Sequence, residues 1–387
     1  METETQDNLA LYDSAARFLA EQCGFARHLR IQRSSIAPLD RALWARFADM
    51  GWLGVLLPES DGGLGYEVAD ALPIVEAMGQ QFVTEPYQEA LAAMQLLLTQ
   101  GDRTQRGHWL PSLIEGSALM LLAHAEHGAG YDLRCVGTRA QSEGGGYRLD
   151  GTKCAVPFGD SADGWLVSAR TGHESGDAEG LSLFIVEAGS AGVHFARHEG
   201  ICGEPCVDIV LDGVVVPAAA RLGSDGRAYP AIEAAHDLLL ALACVESVGT
   251  LKSVLDSTCA YARTRHQFGQ RLSSFQVISH RLVDMFTQVE LTRSVARFAA
   301  DQFGPARDAH ARRRRQLLSA CKAQTSTACR LVGEHAVQIH GGIGMTEELA
   351  LSHQVKRLLS IERRLGDRFE HLGRIAEAVS AGEGIYA

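Results

Sequence analysis

The spacing of apolar residues changes twice along this chain, and those two changes constrain its fold more than any single motif. Up to about Leu119 the spacing is helical: Leu11, Ala15, Phe18 and Leu19 share one face, as do Leu43, Phe47 and Met50. From about Met120 to Leu222, short apolar runs such as LMLLAHAE, GWLVSAR, LSLFIVEA and CVDIVLDGVVVP alternate with Gly and Asp. This is the texture of strands and turns, with Asp150-Gly151 and Asp212-Gly213 as turn signals. From Ala228 onward the helical period returns, and one long helix is predicted from about Tyr229 to about Arg265. Helices, then sheet, then helices predict an α+β protein with domains at 1–119, 120–222 and 223–387. A chain of 387 residues is long enough for two or three such cores.

Composition removes several function classes. A net charge of −11 argues against a general nucleic-acid partner. No run approaches 18 consecutive apolar residues; the longest, Leu238 to Val245, is too short to span a bilayer, so no membrane partner is expected. The nine cysteines show no dense spacing and read as reduced thiols. With an acidic N-terminus lacking a signal h-region, they point to the cytoplasm.

Four stretches could carry chemistry. In YARTRHQFGQRLSSFQ, at a helix–helix junction, Arg265, Phe268 and Gln276 offer a guanidinium, an aromatic face and an amide, a set suited to a phosphate and a flat heterocycle. A solvated arginine beside a core phenylalanine is the plainer account of the same residues. In QIHGGIG, from Gln338 to Gly344, adjacent glycines allow close approach of a ligand or simply end a helix. His194, His198, Cys202 and Cys206 stand four apart, but on strand–turn–strand texture that spacing does not gather ligands, and no metal is expected. Arg312 to Arg315 reads as a solvated helix face.

Taken in order, five motifs resemble the acyl-CoA dehydrogenase family over essentially the whole chain. They are LWARFADMGWLGVLLPESDGGLG, HAEHGAGYD, DGTKCAVPFGDSADGWLVSAR, YARTRHQFGQRLSSFQ and HAVQIHGGIGMTEELAL. Within the family the pattern is most similar to the small subunit of pimeloyl-CoA dehydrogenase and to comparable heteromeric bacterial enzymes. The resemblance implies an N-terminal helical domain, a middle β domain and a C-terminal four-helix domain, with FAD bound and a dimer of dimers formed. It implies α,β-desaturation of an acyl-CoA thioester: a carboxylate takes the α proton while hydride passes from the β carbon to the flavin. Electron-transfer flavoprotein is the implied electron acceptor.

The match is uneven. One family position for the basic glutamate lies about 21 residues after the G-G-x-G motif and falls on Leu365; the other, counted back from Gly269, falls on Leu239. The nearest acid, Asp237, lies two residues away, about 200° around a helix. Family positions that contact the flavin ring or its pyrophosphate fall on Ala125, Tyr131, Ala155 and Pro157. By contrast, the adenine and pyrophosphate contacts that the family donates to a neighbouring subunit's FAD fall on matching residues: Arg265, Phe268, Gln276, Gln338, Gly341 and Gly342. The resemblance therefore implies a chain that holds the ADP end of a FAD whose ring and base belong to a homologous partner. Two alternatives stay open: a self-sufficient homo-oligomer with Asp237 as relocated base, and a non-enzymatic acyl-CoA-binding homologue. For association, Phe286, Val289, Leu291 and Val295 supply an apolar helix face.

Overall fold

The computed structural model describes residues 2–33, 39–304 and 311–382; the side chains of residues 2–8 and 33 are outside the description. The helices and strands run α1 (Glu2–Gln22), α2 (Phe25–Arg33), α3 (Arg41–Asp49), α4 (Val68–Gln80), α5 (Tyr87–Gln100), α6 (Arg103–Ile114), β1 (Met120–Ala123), β2 (Arg139–Glu143), β3 (Gly146–Pro157) and β4 (Gly164–Arg170). Then come β5 (Leu181–Glu187), β6 (Val193–Glu199), β7 (Pro205–Pro217), β8 (Arg221–Leu222), α7 (Tyr229–Thr264), β9 (His266–Gln267), β10 (Gln270–Arg271), α8 (Gln276–Ala300), α9 (Ala311–His340), α10 (Ala350–Arg363) and α11 (Arg368–Ser380). The fold is α+β, with its main sheet confined to Met120–Leu222 between helical blocks.

By internal contacts the chain forms two compact units. The first comprises residues 1–30, 67–83 and 240–387. Its core is the apolar seam of the C-terminal helices, built from Leu251, Val254, Met285, Val289, Val332, Ile339 and Leu358. Here α9 packs against α8, α10 and α11, and α4 against α1 and α8. Glycines set the crossing of α4 and α7: a Cβ on Gly79 would lie 1.9 Å from the Glu246 carbonyl oxygen, and one on Gly249 1.9 Å from that of Glu76. Thr250 Oγ1 donates across this crossing to the Gly79 carbonyl at 2.7 Å. Val289 points into this core (1% exposed), so it is not part of the free face expected for it. The free face carries Val283, Phe286, Leu291 and Phe298 instead, with Val295 half-buried. Arg314 departs from a solvated arginine run: it is buried, with its guanidinium 5.0 Å from the centre of the Phe303 ring.

The second unit comprises residues 31–66 and 84–239. Asp40 caps α3 by accepting from the Leu43 N–H, and Leu43, Trp44 and Phe47 bury the face so formed. The sheet has the order β6-β7-β3-β2-β4-β5-β8, with β1 parallel to β4. Asp150-Gly151 and Asp212-Gly213 are not turns between strands. They sit inside the long paired strands β3 and β7, where the register shifts and Gly213 N–H donates to Asp150 Oδ1 at 2.8 Å. A positive-φ glycine produces a β-bulge as readily as a turn, and sequence alone does not separate the two. By length and composition α7 could cross a membrane, but its most apolar window is 83% buried inside the protein, as suits a core helix.

Candidate functional site

The residues matched to the ADP end lie in the first unit, at the adjoining ends of α7, α8 and α9. After α7 ends at Thr264, β9 and β10 form a short hairpin closed by Leu272 N–H to the Arg265 carbonyl at 2.9 Å. Phe268 sits at its tip with φ +53° and is 89% exposed. A large apolar side chain held in the left-handed region and offered to solvent is strained and unburied at once, as a group presented to a ligand or partner would be. Arg265 is exposed beside it, and Gln276 opens α8, also exposed. On α9, Gln338 is exposed and the helix ends at His340, with Gly341 at φ +68°. A Cβ at Gly341 or Gly342 would meet nothing within 4 Å, so the backbone there is open to approach. Tyr261 ties the two groups together: its ring stacks on His340 with centroids 4.2 Å apart, and its hydroxyl donates to the His340 carbonyl at 3.4 Å. These residues fit the diphosphate and flat base of a dinucleotide: one guanidinium, one aromatic face, two amides and an open glycine turn.

The residues matched to the flavin end lie in the second unit. Cys154 N–H donates to the Ala125 carbonyl at 2.8 Å, which brings Ala125 and Ala155 side by side. Both are exposed, and Tyr131 is 36% exposed. The register of β3 on β7 slips between Lys153 and Val156, so Cys154 and Ala155 together oppose Asp208 as a bulge, with Ala155 at φ +53°. Asp208 Oδ1 accepts the Ala155 N–H at 2.9 Å, and Oδ2 lies 2.7 Å from His127 Nε2. His198 Nδ1 lies 3.9 Å from Oδ1. Partial burial pushes the Asp208 pKa up, but the Ala155 N–H and the two imidazoles outweigh it and hold the carboxyl below its usual range.

Next to this face is a buried polar network. Lys153 is fully buried and donates to Glu126 Oε1 at 2.6 Å, Ser168 Oγ at 3.0 Å and the His124 carbonyl at 3.3 Å. Glu126 also accepts from Gly137 N–H, Thr138 N–H and Thr138 Oγ1. Burial pushes the Lys153 pKa down to about 8 against the pull of Glu126, and pushes His124 down to about 3, so the imidazole is neutral. His124 Nδ1 meets Ser168 Oγ at 2.9 Å.

Neither family base position carries an acid. Leu239 is half-buried on α7, whereas Asp237, 3% exposed, points about 200° away around the helix. Leu365 has φ +63° in a loop held from the first unit's interior: fully buried Lys322 donates to the carbonyls of Glu362 at 2.9 Å and Gly366 at 2.6 Å, and His371 Nε2 donates to that of Leu365 at 3.0 Å. One acid on α7 escaped the motif count. Glu246, seven residues beyond Leu239 and so on the same helical face, is buried and paired with Arg357 at 2.5 Å and Arg364 at 3.2 Å. Its period-seven offset from Leu239 is the signal that could have found it. Among the described residues no group of three or more His, Cys, Asp or Glu could hold a metal, so His194, His198, Cys202 and Cys206 are not gathered into a site.

The N-terminal, middle and C-terminal domains of acyl-CoA dehydrogenase match residues 5–117, 122–214 and 240–379. The chain belongs to the acyl-CoA dehydrogenase family. It is 30% identical over 319 residues to cyclohex-1-ene-1-carbonyl-CoA dehydrogenase of Syntrophus aciditrophicus, covering 81% of this chain and 75% of that one. It is 28% identical to the caffeyl-CoA reductase-Etf complex subunit CarC of Acetobacterium woodii, covering 87% and 88%. Among solved structures it superimposes on a chain of the ChsE4-ChsE5 complex from Mycobacterium tuberculosis with a TM-score of 0.85 at 26% identity, covering 97% of each. Membership makes this acyl-CoA dehydrogenase an FAD-dependent oxidoreductase by descent. Its own residues fit the two ends of that cofactor unequally: the residues at the ADP positions are exposed and match the family's, and those at the ring positions, Ala125, Tyr131, Ala155 and Pro157, do not.

Proposed function

We propose that this acyl-CoA dehydrogenase works as the non-catalytic subunit of a heteromeric enzyme that desaturates an acyl-CoA thioester between its α and β carbons. Arg265, Phe268, Gln276, Gln338, Gly341 and Gly342 would hold the ADP end of a FAD whose ring and glutamate base sit on a homologous chain. Bound FAD supplies the hydride acceptor, and the partner's base receives the α proton. The observation that carries this reading is the asymmetry within one chain. Exposed, unspent groups stand at the ADP positions, while the ring positions are Ala125, Ala155 and Pro157 and the base positions are Leu239 and Leu365. The ChsE4-ChsE5 complex supports association with a second chain, and the caffeyl-CoA reductase-Etf complex supports an electron-transfer flavoprotein as the electron partner. The exposed α8 face of Val283, Phe286, Leu291 and Phe298 supplies apolar surface for a dimer of dimers. Nine free thiols suit a reducing cytoplasm.

The test is co-expression with a homologous dehydrogenase chain encoded nearby. The chain alone is expected to purify colourless and without dye-reducing activity. The complex is expected to carry one FAD per pair of unlike chains and to reduce dye with an acyl-CoA. A chain that purifies alone with a full complement of FAD and reduces dye would overturn the proposal.

A further inference from the structure

The ring end of the site does more than lack contacts. The β3 bulge leaves the Ala155 N–H without a strand partner, and Asp208 takes it at 2.9 Å. That N–H stands at the position the family devotes to the flavin ring, beside Ala125. The second carboxylate oxygen is fixed by His127 at 2.7 Å, and His127 lies two residues beyond Ala125. The pyrimidine edge of an isoalloxazine presents two carbonyl oxygens flanking one N–H, so it needs two donors and a single acceptor opposite it. Here it would meet a carboxylate, which offers acceptors only and repels the two flanking oxygens, with the neighbouring backbone donor already spent. For the ring to enter, Asp208 would have to leave both the Ala155 N–H and His127, and the bulge would lose its clip.

We propose that Asp208, held by Ala155 and His127, excludes the flavin ring from this chain's own middle domain, so that the chain recognises only the ADP part of a dinucleotide. The inference rests on the assignment of Arg265, Phe268 and the Gly341-Gly342 turn to the ADP end. A chain of this kind would be committed to heteromeric use, because two copies of it could cradle ADP but not a flavin.

Calorimetric titration of the purified chain with ADP, FAD and riboflavin tests this. The expected result is ADP and FAD binding within about threefold of each other, with riboflavin not binding. Asp208→Ala frees the Ala155 N–H and removes the charge, and is expected to tighten FAD relative to ADP by about tenfold. Asp208→Asn keeps an acceptor for Ala155, lacks the charge and should fall between. Wild-type FAD binding a hundredfold tighter than ADP would overturn ring exclusion while leaving the ADP assignment standing. An unchanged FAD-to-ADP ratio in both variants would reduce Asp208 to a clip on the bulge and equally overturn it. If neither ADP nor FAD binds, the ADP assignment itself fails and the exclusion falls with it.

Discussion

The residues at the ADP positions of this chain and those at the flavin-ring positions differ in where their polar groups are spent. At the ADP end, Phe268 is 89% exposed on a strained hairpin tip and the Gly341-Gly342 backbone faces open space. At the ring end, the polar groups bind one another: Glu126 serves Lys153, Thr138 and Gly137, and Asp208 serves Ala155 and His127. A surface that takes a ligand keeps donors and apolar faces unsatisfied until the ligand arrives. A surface whose groups are already paired has nothing to offer without breaking those pairs. Family resemblance counts residue types position by position. It does not show that an eroded position has been filled from a neighbouring strand.

The largest expected effect tests whether the ring-end network is structural. Glu126→Ala would leave the fully buried Lys153 ammonium with a hydroxyl and a carbonyl only. Removing one partner of a buried ion pair typically costs about 3–5 kcal/mol. Urea unfolding should show a loss of that size, while ADP affinity, governed by the other unit, should hold. Lys153→Met should cost less, because Glu126 keeps three donors and the apolar chain fills the same space. A loss below about 1 kcal/mol for Glu126→Ala would mean that the pair does not organise this face.

The next effect tests the opposite end. Arg265 is exposed in the free chain, so Arg265→Ala should leave the urea midpoint unchanged. In the complex its guanidinium would be desolvated against a diphosphate, and truncating such a contact costs on the order of 2–5 kcal/mol of binding. Cofactor content of the assembled enzyme should fall sharply. Full FAD occupancy in that variant would erase the contrast between the two ends.

Much of this arrangement is legible in the sequence, because it follows from periodicity and local chemistry. The sheet occupies Met120–Leu222 as its alternating texture predicts, and α7 spans Tyr229–Thr264 against a predicted Tyr229 to about Arg265. What escapes is whatever depends on a pairing distant in sequence. Lys153, in DGTKC, follows the Asp150-Gly151 pair that the sequence presents as a turn. It is fully buried because β3 continues through Gly151 as a bulge and Glu126, 27 residues earlier, is brought under it. Asp208 reads as an ordinary strand residue until a register slip on β3 gives it an orphan N–H to accept. Val289 shares a helical stripe with Phe286, yet it turns into its own core because α8 curls its face against α9 rather than leaving it free.

The smallest expected effect concerns Asp237, the acid nearest a family base position. A general base must reach the substrate's α proton, and its loss typically costs about 10²–10⁴-fold in rate. On α7 the side chain that stands at the family position is Leu239, half-buried, and Asp237 points about 200° away at 3% exposure. A carboxylate on that side of the helix packs within the protein rather than toward a ligand at the Leu239 position. Asp237→Asn is nearly isosteric, so it removes the charge without opening a cavity. In the assembled enzyme, turnover should stay within a few-fold of wild type, with FAD content and mass unchanged. A fall of about a hundredfold with assembly intact would make Asp237 the base of a self-sufficient enzyme. It would require α7 to turn by about half a revolution on binding substrate, and both sets of residues would then serve the FAD sites of a homo-oligomer, rather than one set being kept and the other closed.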